Sequence, residues 1–215
     1  WRNELDFYRY NLKFLNPRMS LVPRLNYMVV LTENGLYNEA IKEGEKALAV
    51  DPLNFVAYIQ IGDVYKKMGK FDEAKVAYKK AIQIDNFCWQ AYRKLKDLSE
   101  ELGEKYEENL DPNFSPLEKK LVGLLRLGEF NKALEILERE LAASPSPQLY
   151  TLAGITLGKL GLYSRAMIAF EAALKLDPDF IPALSNLAVT YERQQNSGKA
   201  QEIRDKITTI YNKKK

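Results

Sequence analysis

Few groups in this chain could carry chemistry. Its single thiol, Cys88, has no histidine to activate it, because the 215 residues include none. That excludes a Cys–His nucleophile pair and removes the side chain most used as general base or metal ligand near neutral pH. Acidic pairs occur at Glu100-Glu101 and Glu107-Glu108. General acid–base work needs a carboxyl held within hydrogen-bond reach of a reacting group. Neighbours on an exposed helix or in a loop are not placed that way. Gly154, Gly158 and Gly161 follow no strand, so they do not form a phosphate-cradling loop. Lys66, Lys67, Lys70, Lys75, Lys79 and Lys80 cluster in sequence, but acidic residues interleave with them, the pattern of a solvated helix face. No catalytic residue, cofactor or metal site is expected.

Composition narrows the partners. The chain carries 32 basic and 29 acidic residues, a net charge of +3. That is no electrostatic footprint for nucleic acid. At 46% hydrophobic and 28% charged, the balance is that of an ordinary water-soluble protein. A lone cysteine forms no internal disulfide and names no redox compartment. No apolar run reaches the ~18 residues of a membrane span. A soluble domain is expected, with its compartment left open. The sequence starts at Trp1 and not at methionine, so we read it as a fragment with further segments upstream.

The elements that would position any site repeat along the chain. From Tyr58 to Asp85 the residues read YIQIGDVYKKMGKFDEAKVAYKKAIQID. Tyr58, Ile61, Gly62 and Tyr65 fall at helical spacing, as do Ala74, Tyr78 and Ala81 beyond Gly69. Gly69 is placed to end the first helix in a left-handed turn, and Asp72 to cap the second. Small residues at Gly62, Ala74 and Ala81 let helix axes cross closely. This alternation resembles the tetratricopeptide repeat, whose period is ~34 residues and whose pattern is W-x2-L-G-x2-Y, then A-x3-F, then P. The resemblance implies an all-α fold, a right-handed α-solenoid of helix-turn-helix repeats. It also implies a concave face lined by the first helix of each repeat.

Laid along the chain, the pattern predicts about five repeats and an N-terminal half-repeat. An N-terminal lobe, 1–103, holds the half-repeat 3–17, repeats 21–54 and 55–88, and a partial repeat 89–103. A C-terminal lobe, 117–215, holds repeats beginning at 114, 147 and 181 and ending at 146, 180 and 212. Between them the pattern breaks. Only 25 residues separate Gly103 from Gly128, and Pro112 and Pro116 interrupt the segment. An irregular linker or shortened helix is expected over 104–116. Gly44 stands where a large aromatic belongs, which suggests room for a bulky neighbour from the aromatic N-terminal helix. In the last repeat, Gln201, Glu202, Arg204, Asp205 and Lys206 are expected outside, and Ile203, Ile207 and Ile210 inside.

In this register the groove-facing candidates are Ile59, Asp63, Lys66, Arg93 and Asp97 in the first lobe. Those in the second are Glu118, Val122, Thr151, Ile155, Ser185 and Val189. Some members of the family bind acidic C-terminal tails through lysine and asparagine on these positions. Here Leu25 and Val29 stand in their place, and only Arg93 and Lys94 resemble the basic half, so that mode is disfavoured. The N-terminal helix has two stripes. Leu5, Tyr8, Leu12 and Leu15 suit packing on the next repeat. Phe7, Tyr10 and Phe14 form a second, aromatic stripe, read either as the scar of a missing helix or as a docking surface.

The leading functional reading is a non-enzymatic scaffold that binds a protein or peptide through the groove, the aromatic helix or both. In a rival reading, WRNELDFYRYNLKFLNP resembles the segment joining the membrane part to the repeats in polytopic glycosyltransferases with tetratricopeptide tails. That would place catalysis and a membrane domain upstream, outside this chain. A third reading is self-association, because an array with an open end can stack head to tail.

Overall fold

The computed structural model describes residues 4–14, 21–106 and 114–213. Their regular structure is helical throughout: α1 (Glu4–Asn11), α2 (Leu21–Glu33), α3 (Tyr37–Val50), α4 (Phe55–Lys67), α5 (Phe71–Ile84), α6 (Trp89–Glu101), α7 (Pro116–Leu127), α8 (Phe130–Ala143), α9 (Pro147–Lys159), α10 (Tyr163–Leu176), α11 (Ile181–Arg193) and α12 (Ser197–Lys213). Leu15, Trp1 and the segment 107–113 of the expected linker lie outside the described residues. Around that segment, 104–106 and 114–115 are not helical.

Each helix pair is closed by the same turn chemistry. At Gly69 (φ +72°) the backbone turns left-handed. Lys70 N–H then reaches back to Tyr65 C=O at 2.9 Å, satisfying a carbonyl that the helix end leaves open. Equivalent glycines carry the turn elsewhere, but in the last pair a side chain takes the place. Gln195 has φ +59°, and Asn196 N–H reaches Tyr191 C=O at 2.9 Å. Three second helices, α3, α5 and α10, end at an aspartate that takes the N–H two residues on. Asp51, Asp85 and Asp177 accept from Leu53, Phe87 and Asp179 at 3.3, 3.0 and 3.0 Å.

Close helix crossings account for the small residues. A Cβ on Gly62 would stand 2.4 Å from the Tyr78 ring, and one on Gly154 2.4 Å from the Phe170 ring. Gly44 follows the same logic with a different neighbour from the one expected. Its missing Cβ makes room for Ile61 (2.8 Å) and Met28 (3.0 Å), not for the N-terminal helix. Asp72 does not cap α5. It is the second residue of that helix, 96% exposed, with its carboxylate 3.8 Å from Lys75. There it contributes as a negative charge in a first turn. True side-chain caps occur at Asn54, Ser115 and Ser146, which accept from Ala57, Glu118 and Leu149 N–H.

The chain divides into two compact units, Trp1–Ile84 with Lys94–Lys105, and Asp85–Arg93 with Tyr106–Lys215. In the first, α1 meets α2, α2 pairs with α3 and α4 with α5, and the first helices α2 and α4 lie side by side. Its core gathers Leu21, Met28, Leu31, Ala40, Ala47 and Ile61, with Leu5 and Tyr8 of α1 and Leu12 just beyond it packed against it. In the second, α7, α9 and α11 adjoin as first helices, backed by α8, α10 and α12. The division expected at 103 differs from this one at residues 85–93. Phe87 stacks on Phe114 at 5.0 Å, and Trp89 meets the edge of Phe130 at 6.3 Å. Those aromatics place 85–93 in the second core.

One residue of the last repeat is turned the opposite way from expectation. Arg204 is buried, not outside, because Ala200, Arg204, Ile207 and Ile210 form the inward stripe of α12. Its guanidinium bonds Glu192 at 2.5 Å, with side chains only 5% and 10% exposed.

Candidate functional site

Of the positions predicted to line a groove, the structure exposes some and buries others. Ile59, Thr151, Ile155 and Ser185 are all buried. Thr151 donates its hydroxyl to Pro147 C=O at 2.7 Å, while the Ser185 hydroxyl has no partner among the described residues. Val122 is buried too, and Val189 half-buried. Glu118 serves the start of α7, where its carboxylate accepts from Ser115 N–H at 2.7 Å. Arg93 and Asp97 are exposed, and the Arg93 guanidinium stands 5.0 Å over the Trp89 ring. Lys159 approaches the same ring at 4.9 Å, and burial lowers its pKa, helped by Arg193.

Asp63 and Lys66 are brought together with α6 within the first unit. Lys94 Nζ lies 2.7 Å from Asp63 Oδ1, and Lys66 Nζ lies 2.5 Å from Glu101. Tyr78 also donates its hydroxyl to Asp63 Oδ1 at 2.7 Å. Burial, then Asp63, pushes the Tyr78 pKa well above the usual tyrosine range, so it stays a donor. Both contacts fall on one carboxylate oxygen, Oδ1.

Asp63 also lines a cleft between α2 and α4. The cleft, about 160 Å³, is lined by Met28, Val29, Thr32 and Glu33 of α2, and by Gln60, Asp63 and Lys67 of α4. Helical geometry puts Gln60 and Asp63 one turn apart on the same face. The Gln60 carboxamide oxygen is buried in the cleft wall without a hydrogen-bond partner. Leaving such an acceptor unsatisfied costs about 1–3 kcal/mol. Val29, 42% exposed, supplies an apolar wall. Sequence reasoning found Asp63 here but missed Val29, Gln60 and Lys67. Val29 was weighed only as the absence of an asparagine, and Gln60 adjoins Ile59, whose own side chain turns inward. The spacing of Gln60 and Asp63 on one helix edge was the available signal.

Phe7 and Tyr10 of α1 and Phe14 just beyond it are 42%, 51% and 71% accessible. Cys88 is buried. Burial, then Asp85, pushes its thiol well above the ordinary range, which disfavours a thiolate. Among the described residues, no group of three or more acidic or cysteine side chains is placed to hold a metal ion. Likewise, no described helix is long and apolar enough to cross a membrane.

Comparison with known proteins agrees with the helix pairs. Residues 55–87, 147–180 and 169–202 each match profiles of the tetratricopeptide repeat. The chain carries tetratricopeptide repeats, and its fold is an all-α solenoid of them. It is similar to the uncharacterized protein ycf37 of Pyropia yezoensis, 36% identical over 62 residues. That match covers 29% of this chain and spans 35% of the relative's length. Among solved structures it is similar to MamA from Desulfovibrio magneticus RS-1, at 17% identity and a TM-score of 0.41, over 90% of this chain and 96% of that one. YrrB, described as a protein of the same repeat with an unusual peptide-binding site, gives 24% identity and a TM-score of 0.35, over 89% and 87%. PilW, described as a type IV pilus biogenesis factor, gives 18% and 0.41, over 89% and 78%.

Proposed function

We propose that this chain is a non-catalytic protein-interaction scaffold whose first unit takes an extended peptide in the cleft between α2 and α4. The observation that carries this reading is the exposed lining of that cleft, where the apolar Val29, 42% exposed, faces the same opening as the Asp63 carboxylate, 34% exposed. An extended peptide offers backbone N–H groups to the Asp63 carboxylate, and its side chains would rest on Val29. Repeat arrays of this type present extended surfaces of adjoining helices to their partners. Thr151, Ile155 and Ser185, being buried, take no part. The test is to select binders from short peptides of varied sequence, then to measure their affinity for Val29→Lys and Gln60→Ala. Each variant should bind about ten-fold more weakly, equivalent to ~1.4 kcal/mol. Equal affinity for both variants and the native chain would place the site elsewhere.

A second reading is favoured by the exposed Phe7, Tyr10 and Phe14. These rings form an apolar strip that a second copy of the chain could cover, giving self-association through α1. Sedimentation across a range of concentrations should then show a dimer that Phe7→Ser with Phe14→Ser abolishes. A native chain that stays monomeric would remove this reading without touching the cleft.

A further inference from the structure

A larger cleft, on a different face of the first unit, has a distinct chemistry. It measures about 380 Å³ and lies where α1, α2 and α3 meet, in the lower part of the range of ligand sites. Its basic side chains are Arg9, Lys13, Arg24, Lys42 and Lys46. Against these five stand two carboxylates, Glu39 and Glu43. The surplus of three positive charges equals the net charge of the whole chain, +3, so elsewhere the charges balance.

The two carboxylates are already engaged. Glu43, 11% exposed, takes Arg24 at 2.6 Å on one oxygen and Lys46 at 2.6 Å on the other. Arg9 spans Glu39 at 3.1 Å and the Tyr27 hydroxyl at 3.0 Å. Lys13 and Lys42 line the same cleft, exposed, and their ammonium groups bond none of the described residues. Concave walls focus the field of such a surplus. Beneath the charges lie the half-buried Leu12 and the buried Tyr27 and Leu31, so Leu12 supplies the accessible apolar contact.

We infer that this cleft binds a glutamate-bearing segment of a partner protein, the aliphatic stem resting on Leu12 and the carboxylate meeting Lys13 and Lys42. An accessible leucine beside exposed cations matches a side chain of methylene groups ending in a carboxylate. A lipid surface presents its charges in a plane, which a concave site does not meet. This inference is independent of the α2–α4 cleft, which shares none of these side chains.

The test measures binding of a capped oligo-glutamate peptide by the full chain, with inorganic phosphate and phosphatidylglycerol vesicles as parallel arms. The native chain should bind the peptide in a salt-sensitive manner. Lys13→Glu with Lys42→Glu should weaken that binding about ten-fold or more. Lys79→Glu with Lys80→Glu changes the net charge equally on α5, away from the cleft, and should leave the affinity within about two-fold. All four lysines are exposed, so folding should persist, with helicity by circular dichroism as the check. Equal weakening by both pairs would reduce the effect to overall charge and overturn the site. No peptide binding, or binding of phosphate or vesicles in its place, would overturn it as well.

Discussion

Asn186 donates a hydrogen bond of 2.8 Å to the carboxylate of Asp85, a residue 101 positions earlier in the chain. Asp85 is fully buried in the second unit, and its other oxygen accepts the Phe87 N–H at 3.0 Å. Burial pushes its pKa up to about 6, against the lowering effect of those two hydrogen bonds. The folded chain therefore holds this proton more tightly than the unfolded chain does. The stabilisation that follows is present in full below about pH 4 and is lost as pH rises through 6. Asp85→Asn keeps an acceptor for Phe87 and sheds the buried charge. Urea unfolding should show the variant gaining roughly 1–3 kcal/mol on the native chain between pH 4 and pH 7.5. An equal stability difference at both pH values would contradict the assigned cause.

Glycine-to-alanine substitutions should split by location. Gly62→Ala and Gly154→Ala drive a methyl into the Tyr78 and Phe170 rings, each at 2.4 Å. Overpacking of this kind costs about 1–3 kcal/mol, visible as a lowered melting temperature. Gly123, inside α7, has nothing within 4 Å of its added Cβ. Gly123→Ala should stabilise by about 0.5–1 kcal/mol, the helix-propensity difference.

The buried pair of Arg204 and Glu192 makes a sharper contrast. Arg204→Leu strands a carboxylate whose side chain is 10% exposed, and breaking such a pair costs about 3–5 kcal/mol. Arg204→Leu combined with Glu192→Leu should recover most of that loss, because neither charge is then left without its partner. Denaturant midpoints of the two variants check this. A double variant no more stable than the single one would show that packing, not charge, sets the cost.

The repeats were legible because helix crossings impose a size pattern that survives in one dimension. Gly62 against Tyr78 and Ala74 at its crossing read as one register before any coordinates. The turn at Gly69 was legible for the same reason, as a local rule. What escaped notice depends on rotation about a helix axis or on distant pairing. Arg204 looks like a surface residue until the stripe through Ala200, Ile207 and Ile210 is placed. Asp63 and Lys66 were read as groove residues, but their ties to Lys94 and Glu101 cross between helices. Gly44 signalled a bulky neighbour, and only packing says that it is Ile61. No local pattern pairs Asp85 with Asn186. Of the candidate cleft, Asp63 was legible, and Gln60 only through its spacing one turn before Asp63 on the same helix edge.

The most direct measurement of the central claim is residue-by-residue amide chemical-shift mapping of the chain as a selected peptide is added. Shifts concentrated at Val29, Glu33, Gln60, Asp63 and Lys67, absent in Gln60→Ala, are the expected result. Shifts that leave α2 and α4 unmoved, with the peptide bound elsewhere, would contradict the assignment of the cleft as the peptide site.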